Sequence, residues 1–300
     1  MNKAETAIIV LNYKKYEDTI KCVTQLLSLD VKLMIVIVDN NSPNDSFSVL
    51  SDTFQWTESV HLIKTNKNGG YSYGNNCGIK KALEINPDLE YISIMNPDAL
   101  VTDERVFTDM LFDFERESSS AAIAPLMIEQ GAIQEERSGW LIPNAWDRVF
   151  ARTVFARKKK RNAKMKGPYR IVEAIHGSFF IVKRQVFQDV EYFDENVFLY
   201  GEETILGIKI KQLGKKELID TRYKYYHNHQ YSIEDESKVI QNGKIMYSSL
   251  RYLFLKYYNP SRLAKMVFIL VQGSLYYVYY PIKLQMKKVL YQGVARVEKR

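Results

Sequence analysis

Short apolar segments alternate with amphipathic segments along the first hundred residues of this 300-residue chain. The apolar segments are rich in β-branched residues and are apolar on both faces, which is typical of strands in a sheet covered by helices on each side. The predicted strands are Thr6–Leu11, Leu33–Val38, Val60–Lys64 and Tyr91–Met95. Strands that alternate with helices predict parallel pairing, right-handed crossovers and therefore an α/β fold.

The segments between these strands predict helices. Apolar residues recur at helical spacing in Tyr16–Leu29, and Asn75–Glu84 follows a glycine-rich turn. Ser42-Pro43 has the pattern of an N-cap followed by proline at the first helical position. We therefore expect the second helix to begin there.

Polar or glycine residues follow each predicted strand. They are Asn12 and Tyr13 after the first, Asp39 after the second, Asn66, Asn68, Gly69 and Gly70 after the third, and Asp98 after the fourth. Parallel strands end at one edge of a sheet, where open α/β sheets bind ligands, so a nucleotide pocket is predicted. The chain lacks both the G-x-G-x-x-G dinucleotide fingerprint after the first strand and the P-loop motif.

Asn96-Pro97-Asp98 is the most informative single feature. Proline cannot continue a strand ladder, so Asp98 is expected at the carboxyl end of the fourth strand. A carboxylate held there suits a hard divalent cation that carries a pyrophosphate. The alternative is that Asp98 merely caps the next helix.

Composition places the chain among ordinary globular proteins, with 46% hydrophobic and 26% charged residues. Cys22 and Cys77 are too few for a disulfide framework, and we expect both to be reduced and buried. The start of the chain lacks the pattern of a signal peptide, so a cytoplasmic location is expected.

The formal net charge of +7 is distributed unevenly. Between positions 151 and 170 the chain has no acidic residue and carries Arg152, Arg157, Lys158, Lys159, Lys160, Arg161, Lys164, Lys166 and Arg170. Such a block attracts nucleic acid or anionic lipid, or is simply a solvated loop.

The C-terminal part differs in pattern from the rest. From about Ser237 the chain is predicted helical, with a break at Asn259-Pro260. Met266–Tyr280 is dense in apolar and aromatic residues and is flanked by Lys265 and Lys283. This run is short for a membrane-spanning helix, which needs about 20 residues. Its tyrosines and flanking lysines favour a helix lying on anionic lipid, with packing on the protein or on a second subunit as the alternative.

Several motifs occur in the order and spacing of the family-2 glycosyltransferases. They are Ile8–Tyr13, Val38–Ser42, Asn68–Gly78, Met95–Asp98, Gly177–Phe180, Phe193–Glu195, Phe198–Glu203 through to Gly214, and His227–Ser232. Over roughly residues 6 to 235 the chain resembles this family, and within it the bacterial rhamnosyltransferase-like subgroup.

The resemblance implies a GT-A fold, a Rossmann-like and mostly parallel sheet with helices on both faces. It implies a catalytic domain over 1–235, with a nucleotide-sugar half at about 1–100 and an acceptor half at about 101–235. Residues 236–300 would form a helical C-terminal region that contacts membrane or a second subunit.

The resemblance also implies roles on the donor side. Asp39 should contact the nucleobase or ribose, and the Leu11 and Asn12 backbone should line the same pocket. Gly69 and Gly70 would let the backbone approach the nucleotide, because a Cβ there would collide with it. The remaining residues assigned to donor binding are Asn76 and Asn96.

Asn96 and Asp98 occupy the place of the family's DxD element, so Asp98 is the expected ligand of Mg²⁺ or Mn²⁺. His227 matches a histidine that approaches the metal or the diphosphate in relatives, and His229 is the alternative. Either histidine would otherwise serve a local hydrogen-bond network.

Glu202-Glu203 precedes a predicted helix that ends at Gly214. Two acids at a helix N-terminus also complement the helix dipole. Relatives carry Glu-Asp here, and the second acid is their general base, so Glu203 is the expected base and Glu202 the fallback. A further aspartate of the relatives is replaced by Ile205.

His176, Gly177 and Ser178 resemble the acceptor side of these enzymes. Together the assignments imply a metal-dependent inverting glycosyltransferase. Its donor would be a dTDP- or UDP-linked sugar, and its acceptor a saccharide or lipid-linked molecule in bacterial capsule or O-antigen synthesis. The protein would be peripheral at the inner face of the plasma membrane, and a homodimer is one expected assembly.

Three other functions compete with this one. A non-catalytic sugar-nucleotide-binding protein of the same fold is supported by Ile205 and by glutamate in place of aspartate at Glu203. A nucleotidyltransferase would need a glycine-rich basic signature near the first strand, which is missing. Only the basic block suggests a nucleic-acid binder, and no recognition motif accompanies it, so no nucleic-acid partner is expected.

Overall fold

The computed structural model describes residues 5–156, 163–228 and 236–286. The strands of these residues are β1 (Thr6–Asn12), β2 (Leu33–Asp39), β3 (Val60–Lys64), β4 (Tyr91–Met95), β5 (Ala99–Leu100), β6 (Ser120–Glu129), β7 (Ala132–Ile133), β8 (Gly139–Trp140), β9 (Lys164–Lys166), β10 (Tyr169–Val172), β11 (Ala174–Ile175), β12 (Phe179–Lys183) and β13 (Lys216–His227). The helices are α1 (Tyr16–Leu27), α2 (Ser46–Phe54), α3 (Gly70–Ile85), α4 (Arg105–Arg116), α5 (Glu135–Ser138), α6 (Ala145–Val149), α7 (Arg184–Asp189), α8 (Glu202–Gln212), α9 (Glu236–Tyr257) and α10 (Arg262–Ser274), and a π-helical turn (Leu275–Tyr279) follows α10.

The central sheet has the strand order β3-β2-β1-β4-β12-β6-β13-β10-β9. The first four strands of the chain pair in parallel, as the sequence predicted. β12 then lies antiparallel between β4 and β6, and β13 is parallel to β6. The α/β class with a helical C-terminal part is confirmed.

The core occupies both faces of the sheet because β1 and β2 are apolar on both sides. Ile8 and Val10 contribute to a buried cluster shared with α1 and α4, while Ile9 lies against Gly78 of α3. Cys22 is free and buried, as predicted. Cys77 is free but only partly buried, so that half of the prediction is wrong.

Two helix starts differ from the prediction. α3 begins at Gly70 instead of Asn75, so the glycines lie at the helix start and not in a turn before it. α2 begins at Ser46, and the N-cap predicted at Ser42-Pro43 is wrong. Ser42 is engaged elsewhere, because its hydroxyl accepts the Lys14 N–H at 2.9 Å.

The described residues form two compact units. The first comprises 5–142, 163–198 and 202–228, and the second comprises 143–156, 199–201 and 236–286. The second unit thus includes a segment around α6 that the sequence analysis had placed with the sheet domain.

Aromatic stacking and helix capping organise the second unit. The rings of Phe254 on α9 and Phe268 on α10 stack with centroids 4.2 Å apart. Ser261 caps α10 by accepting the Ala264 N–H, so the predicted break at Asn259-Pro260 is confirmed. Among the described residues, no helix combines the length and the apolar character needed to cross a bilayer.

We predict that Gly70→Ala destabilises the protein more than Gly131→Ala. Both glycines have positive φ, +86° and +76°, so alanine costs about 1–2 kcal/mol at either position. A Cβ at Gly70 would lie 2.1 Å from the Phe198 carbonyl oxygen, whereas nothing lies within 4 Å of one at Gly131. Overpacking should raise the Gly70→Ala loss to roughly 3 kcal/mol. Denaturant unfolding of both variants measures the difference, and equal losses would contradict the close contact.

Candidate active site

Asn12 and Asp39 end two neighbouring strands and hold the loops that follow. Asp39 Oδ2 accepts from Asn12 Nδ2 at 2.9 Å, and Asp39 Oδ1 accepts the Ser42 N–H at 2.9 Å. Asn12 Oδ1 accepts from the Lys15 N–H and the Thr19 hydroxyl. Both side chains are completely buried. In the structure they hold the loops that follow β1 and β2 in place. The contact of Asp39 with a nucleobase or ribose stays a prediction.

Gly69 and Gly70 are required by packing within the protein. A Cβ at Gly69 would lie 2.3 Å from the Tyr73 ring, and one at Gly70 would meet the backbone of Phe198. Asn40 Nδ2 donates to the Gly70 carbonyl oxygen at 3.0 Å and so holds the start of α3 in place. Close approach of a nucleotide, the reason predicted from the sequence, is therefore not needed to explain these glycines, because packing within the protein already requires them.

Asn76 has a structural role that the sequence analysis did not assign. Its Nδ2 donates to the Phe193 carbonyl oxygen and to Glu195, and its Oδ1 accepts the Phe193 N–H. Both ends of the amide are therefore bonded within the protein, which does not favour donor binding. Leu11, also predicted on the donor side, packs against Gly74 of α3.

Asp98 lies beside His227 because β5 pairs antiparallel with the end of β13. Ala99 is opposite His227, and the Asn228 N–H donates to the Asp98 carbonyl oxygen at 2.8 Å. Asp98 Oδ1 lies 3.4 Å from His227 Nε2, and Glu129 Oε1 lies 3.4 Å from His227 Nδ1. The structure therefore brings together the two residues predicted as metal ligands, and adds Glu129 behind the histidine.

This arrangement fits a divalent cation delivered with a phosphate. Within the described residues no group of three His, Cys, Asp or Glu side chains could hold a metal by itself. Mg²⁺ is commonly held by one or two carboxylates together with substrate phosphates, so Asp98 and His227 would form a partial ligand set. A carboxylate on the second nitrogen of a ligating histidine orients the ring, as Glu129 would do here. His229, the alternative ligand, lies outside the described residues.

Residues 176–178 connect this pair to the rest of the site. The Asn96 N–H donates to the Ser178 carbonyl oxygen at 2.8 Å. The His176 ring contacts the His227 ring with centroids 5.4 Å apart. The Ser178 hydroxyl lies 2.8 Å from His176 Nδ1 and 2.6 Å from the Tyr225 hydroxyl. Burial, with His227 as a second cause, lowers the pKa of His176 to about 4, so the ring is neutral at pH 7.

Glu202 and Glu203 begin α8, as predicted, and differ in access. Glu202 is 6% exposed, and its Oε2 has no hydrogen-bond partner among the described residues, whereas Glu203 is only partly buried. Burial raises the pKa of both carboxyls, and for Glu202 the neighbouring Glu203 adds to the effect. A Cβ on Gly177 would lie 3.0 Å from Glu203 Oε1, so the acid lies directly against the 176–178 segment.

Sequence reasoning assigned no role to several residues of this cluster. The Tyr71 hydroxyl donates to the Gly177 carbonyl oxygen at 2.6 Å, and its position within the quoted Asn68–Gly78 motif was an available signal. Glu217 on β13 is buried near Glu203, and burial raises its pKa to about 8. Glu129, Glu217 and Tyr225 had no local signal, because their contacts depend on strands that are distant in sequence.

The fold and the family have clear relatives. Residues 7–191 match the family described as glycosyl transferase family 2. The low-salt glycan biosynthesis hexosyltransferase Agl10 of Haloferax volcanii is 27% identical over 205 residues, which is 66% of this chain and 59% of the relative. The match thus spans less than two thirds of that relative's length.

Two solved structures share the fold at low identity. GalNAc-T7 with UDP, GalNAc and Mn²⁺ superposes with a TM-score of 0.64 at 15% identity, over 87% of this chain and 51% of that one. The mannosyltransferase PcManGT from Pyrobaculum calidifontis, in complex with GDP-Man and Mn²⁺, gives 0.58 at 14% identity, over 99% and 76%. These similarities confirm the predicted GT-A fold.

We predict that Glu217→Gln removes part of the pH dependence of stability. The folded-state pKa of about 8 lies above the ordinary 4.5, so this carboxyl favours folding below about pH 4.5 and loses that contribution as the pH rises through 8. The loss is about 1.4 kcal/mol per pH unit at most. The stability of the variant relative to wild type should therefore increase between pH 5 and pH 8 in denaturant unfolding. Glu58→Gln, at an exposed position, is the control. A constant difference across this range would contradict the buried carboxyl.

Proposed function

The chain belongs to glycosyl transferase family 2, and from this premise we propose that it transfers a sugar from a nucleoside-diphosphate sugar to an acceptor hydroxyl. One observation carries the proposal. The 176–178 segment contacts Asn96 and His227 at one end of the site and Glu203 at the other. A place for a cation and diphosphate therefore adjoins a carboxylate that can accept a proton.

On the donor side, Asp98 and His227 would hold Mg²⁺ or Mn²⁺ together with the diphosphate. The cation, when bound, stabilises negative charge on the departing nucleoside diphosphate. Glu129 keeps the His227 ring oriented, and the Ser178 carbonyl oxygen holds the backbone at Asn96. The loops fixed by Asn12 and Asp39 would border the nucleoside.

On the acceptor side, we assign the general base to Glu203. A base must reach the acceptor hydroxyl, and Glu203 is partly exposed whereas Glu202 is buried. A carboxyl whose pKa is raised by burial holds a proton more strongly, which suits proton removal as the new bond forms. Attack from the side opposite the diphosphate would invert the sugar carbon. Tyr71 and Gly177 would fix the carboxylate in place.

Ile205 gives little support to the alternative of a sugar-nucleotide-binding protein without turnover. This side chain is 1% exposed, so it packs inside the domain and does not line the site. The catalytic proposal needs only Glu203, which is partly exposed.

The wider role is proposed from the sequence resemblance and from the charge of the chain. We propose that the protein acts in glycan synthesis, specifically of a bacterial capsule or O-antigen. Its donor would be a dTDP- or UDP-linked sugar, such as dTDP-linked rhamnose. A lipid-linked acceptor and a peripheral position at the inner face of the plasma membrane are supported by the basic block at 151–170 and the tyrosine-rich C-terminal run. The archaeal relative, a hexosyltransferase of glycan biosynthesis by name, supports the same broad role.

We predict that Asp98→Ala abolishes metal-dependent donor binding. UDP-, dTDP- and GDP-sugars are screened by thermal shift with and without Mn²⁺. A donor at about 100 times its dissociation constant stabilises the folded protein by about 2.7 kcal/mol, which is a rise of a few degrees. Wild type should show this shift with Mn²⁺, and Asp98→Ala should lose it while melting normally without ligand.

Asp52→Ala, at an exposed position on α2, is the control for removing a carboxylate. An unchanged Mn²⁺-dependent shift in Asp98→Ala would show that the metal assignment is wrong. If wild type binds no nucleotide sugar under any condition, the proposed function fails.

We predict that Glu203→Gln lowers transfer on the order of 10²-fold or more, the usual scale for a positioned base. The substitution keeps the shape of the side chain, so donor affinity should stay near that of wild type. Transfer rates and donor affinities are measured for Glu203→Gln and Glu202→Gln in parallel. If the large loss occurs in Glu202→Gln alone, the roles of the two acids must be exchanged.

A further inference from the structure

The second unit contains a cavity of about 930 Å³ whose lining residues all belong to that unit. It is lined by the segment after α6, by α10, by the π-helical turn and by residues that follow it. Its apolar lining consists of Val154, Val271, Leu275, Val278, Ile282 and Met286. π-helical turns are rare and are often found at functional sites.

The cavity is long and is open to solvent. The helical residues that line it occur every three or four positions from Val271 to Met286. This span corresponds to roughly 22 Å along a helix. Val278, Ile282 and Met286 are 53%, 49% and 62% exposed, so the described residues leave this apolar surface uncovered. A slot of this shape suits a linear hydrocarbon chain better than a compact ligand.

Among the described residues that line the cavity, two are cations and none is an acid. Arg152 Nη1 donates to the Tyr276 hydroxyl at 2.9 Å, and Lys283 Nζ lies 5.7 Å from the centre of the Tyr279 ring. Both charges are thus held by tyrosines at an otherwise apolar cavity. Their complement is an apolar molecule that carries a negative group.

We propose that this cavity binds one acyl chain of an anionic membrane phospholipid, with the lipid phosphate between Arg152 and Lys283. The proposal deepens the membrane association put forward above and rests on it. A single acyl chain gives reversible membrane binding, and a nearby basic cluster strengthens it.

Charge disfavours the other occupants. Residues 287–300 contain Lys287, Lys288, Arg296, Lys299 and Arg300 against one acid, Glu298, so this segment would be repelled by the cations of the cavity. A second copy of the chain seated on the same surface would bring Arg152 and Lys283 near their own equivalents. An anionic lipid meets neither difficulty.

The test uses the full chain and two soluble lipids that share one palmitoyl chain, lysophosphatidylglycerol (anionic) and lysophosphatidylcholine (zwitterionic). Binding is measured by native mass spectrometry and by titration below the micelle concentration. Wild type should bind one lysophosphatidylglycerol, and lysophosphatidylcholine at least tenfold more weakly.

Val278→Trp should place a bulky ring in the path of the acyl chain and weaken lysophosphatidylglycerol binding at least tenfold. Lys283→Gln should reduce it towards the affinity for lysophosphatidylcholine. The matched controls lie on α10 outside the cavity lining. Leu263→Trp adds the same ring, and Arg262→Gln removes the same charge, and both should bind as wild type does.

Donor binding in the first unit is measured on the same samples by the Mn²⁺-dependent thermal shift. Donor binding should be unchanged in all four variants, which would show that the variants are folded. It also distinguishes failure of the lipid site from failure of the proposed reaction, because donor binding tests the first unit alone.

Four results would overturn the lipid site. In the first, wild type does not bind lysophosphatidylglycerol, and in the second it binds the two lipids equally. In the third, Val278→Trp binds lysophosphatidylglycerol as tightly as wild type does. In the fourth, the control variants lose as much lysophosphatidylglycerol affinity as the cavity variants. A dimer that Val278→Trp dissociates would assign the cavity to a second copy instead. If residues 287–300 are protected from amide hydrogen exchange in wild type and lose that protection in Val278→Trp, the cavity is occupied by the chain's own C-terminal segment. Either of these two findings would also overturn the proposal.

Discussion

The antiparallel pairing of β12 with β4 is the constraint on which the candidate active site depends. Phe179 lies opposite Met95, so the residues just before β12 meet the residues just after β4. The hydrogen bond from the Asn96 N–H to the Ser178 carbonyl oxygen extends this register into the site. Because side chains alternate along a strand, a slip of one residue would turn each side chain of β12 to the opposite face of the sheet and move residues 176–178 away from the cation site.

A second constraint is electrostatic. Glu203, which is partly buried, and Glu217, which is buried, lie near one another, and burial raises the pKa of each. Carboxyls in such surroundings are costly for stability, and they cluster at functional sites because proton transfer near neutral pH needs them. The Gly177 backbone hydrogen-bonds the Glu203 carboxyl, and the Tyr71 hydroxyl donates to the Gly177 carbonyl oxygen, so Glu203 lies against the 176–178 segment. The same close packing explains why position 177 is a glycine, since any side chain there would crowd the carboxylate.

The second unit is organised by different physical chemistry. Stacked aromatic rings and capped helices form its small core, while much of the apolar surface of α10 and the π-helical turn stays exposed. The cations beside that surface are held by tyrosines, which present an apolar ring and a polar hydroxyl together. An apolar slot with fixed positive charge matches the boundary between hydrocarbon and phosphate at a bilayer surface.

The strands of the first hundred residues, the edge where their polar ends meet and the family could all be predicted from the sequence, because they depend on local periodicity and on the order of short motifs. Which of these residues touch follows from the pairing of distant strands in the folded protein. Asp98 meets His227 through the β5–β13 pair, and Glu129 and Glu217 join the site from strands far along the chain. The structure also shows internal contacts of Gly69, Gly70 and Asn76 that the sequence did not predict, and distinguishes the partly buried Glu203 from the buried Glu202. Adjacent residues of one type look alike in a sequence, and burial separates them only after distant strands have paired.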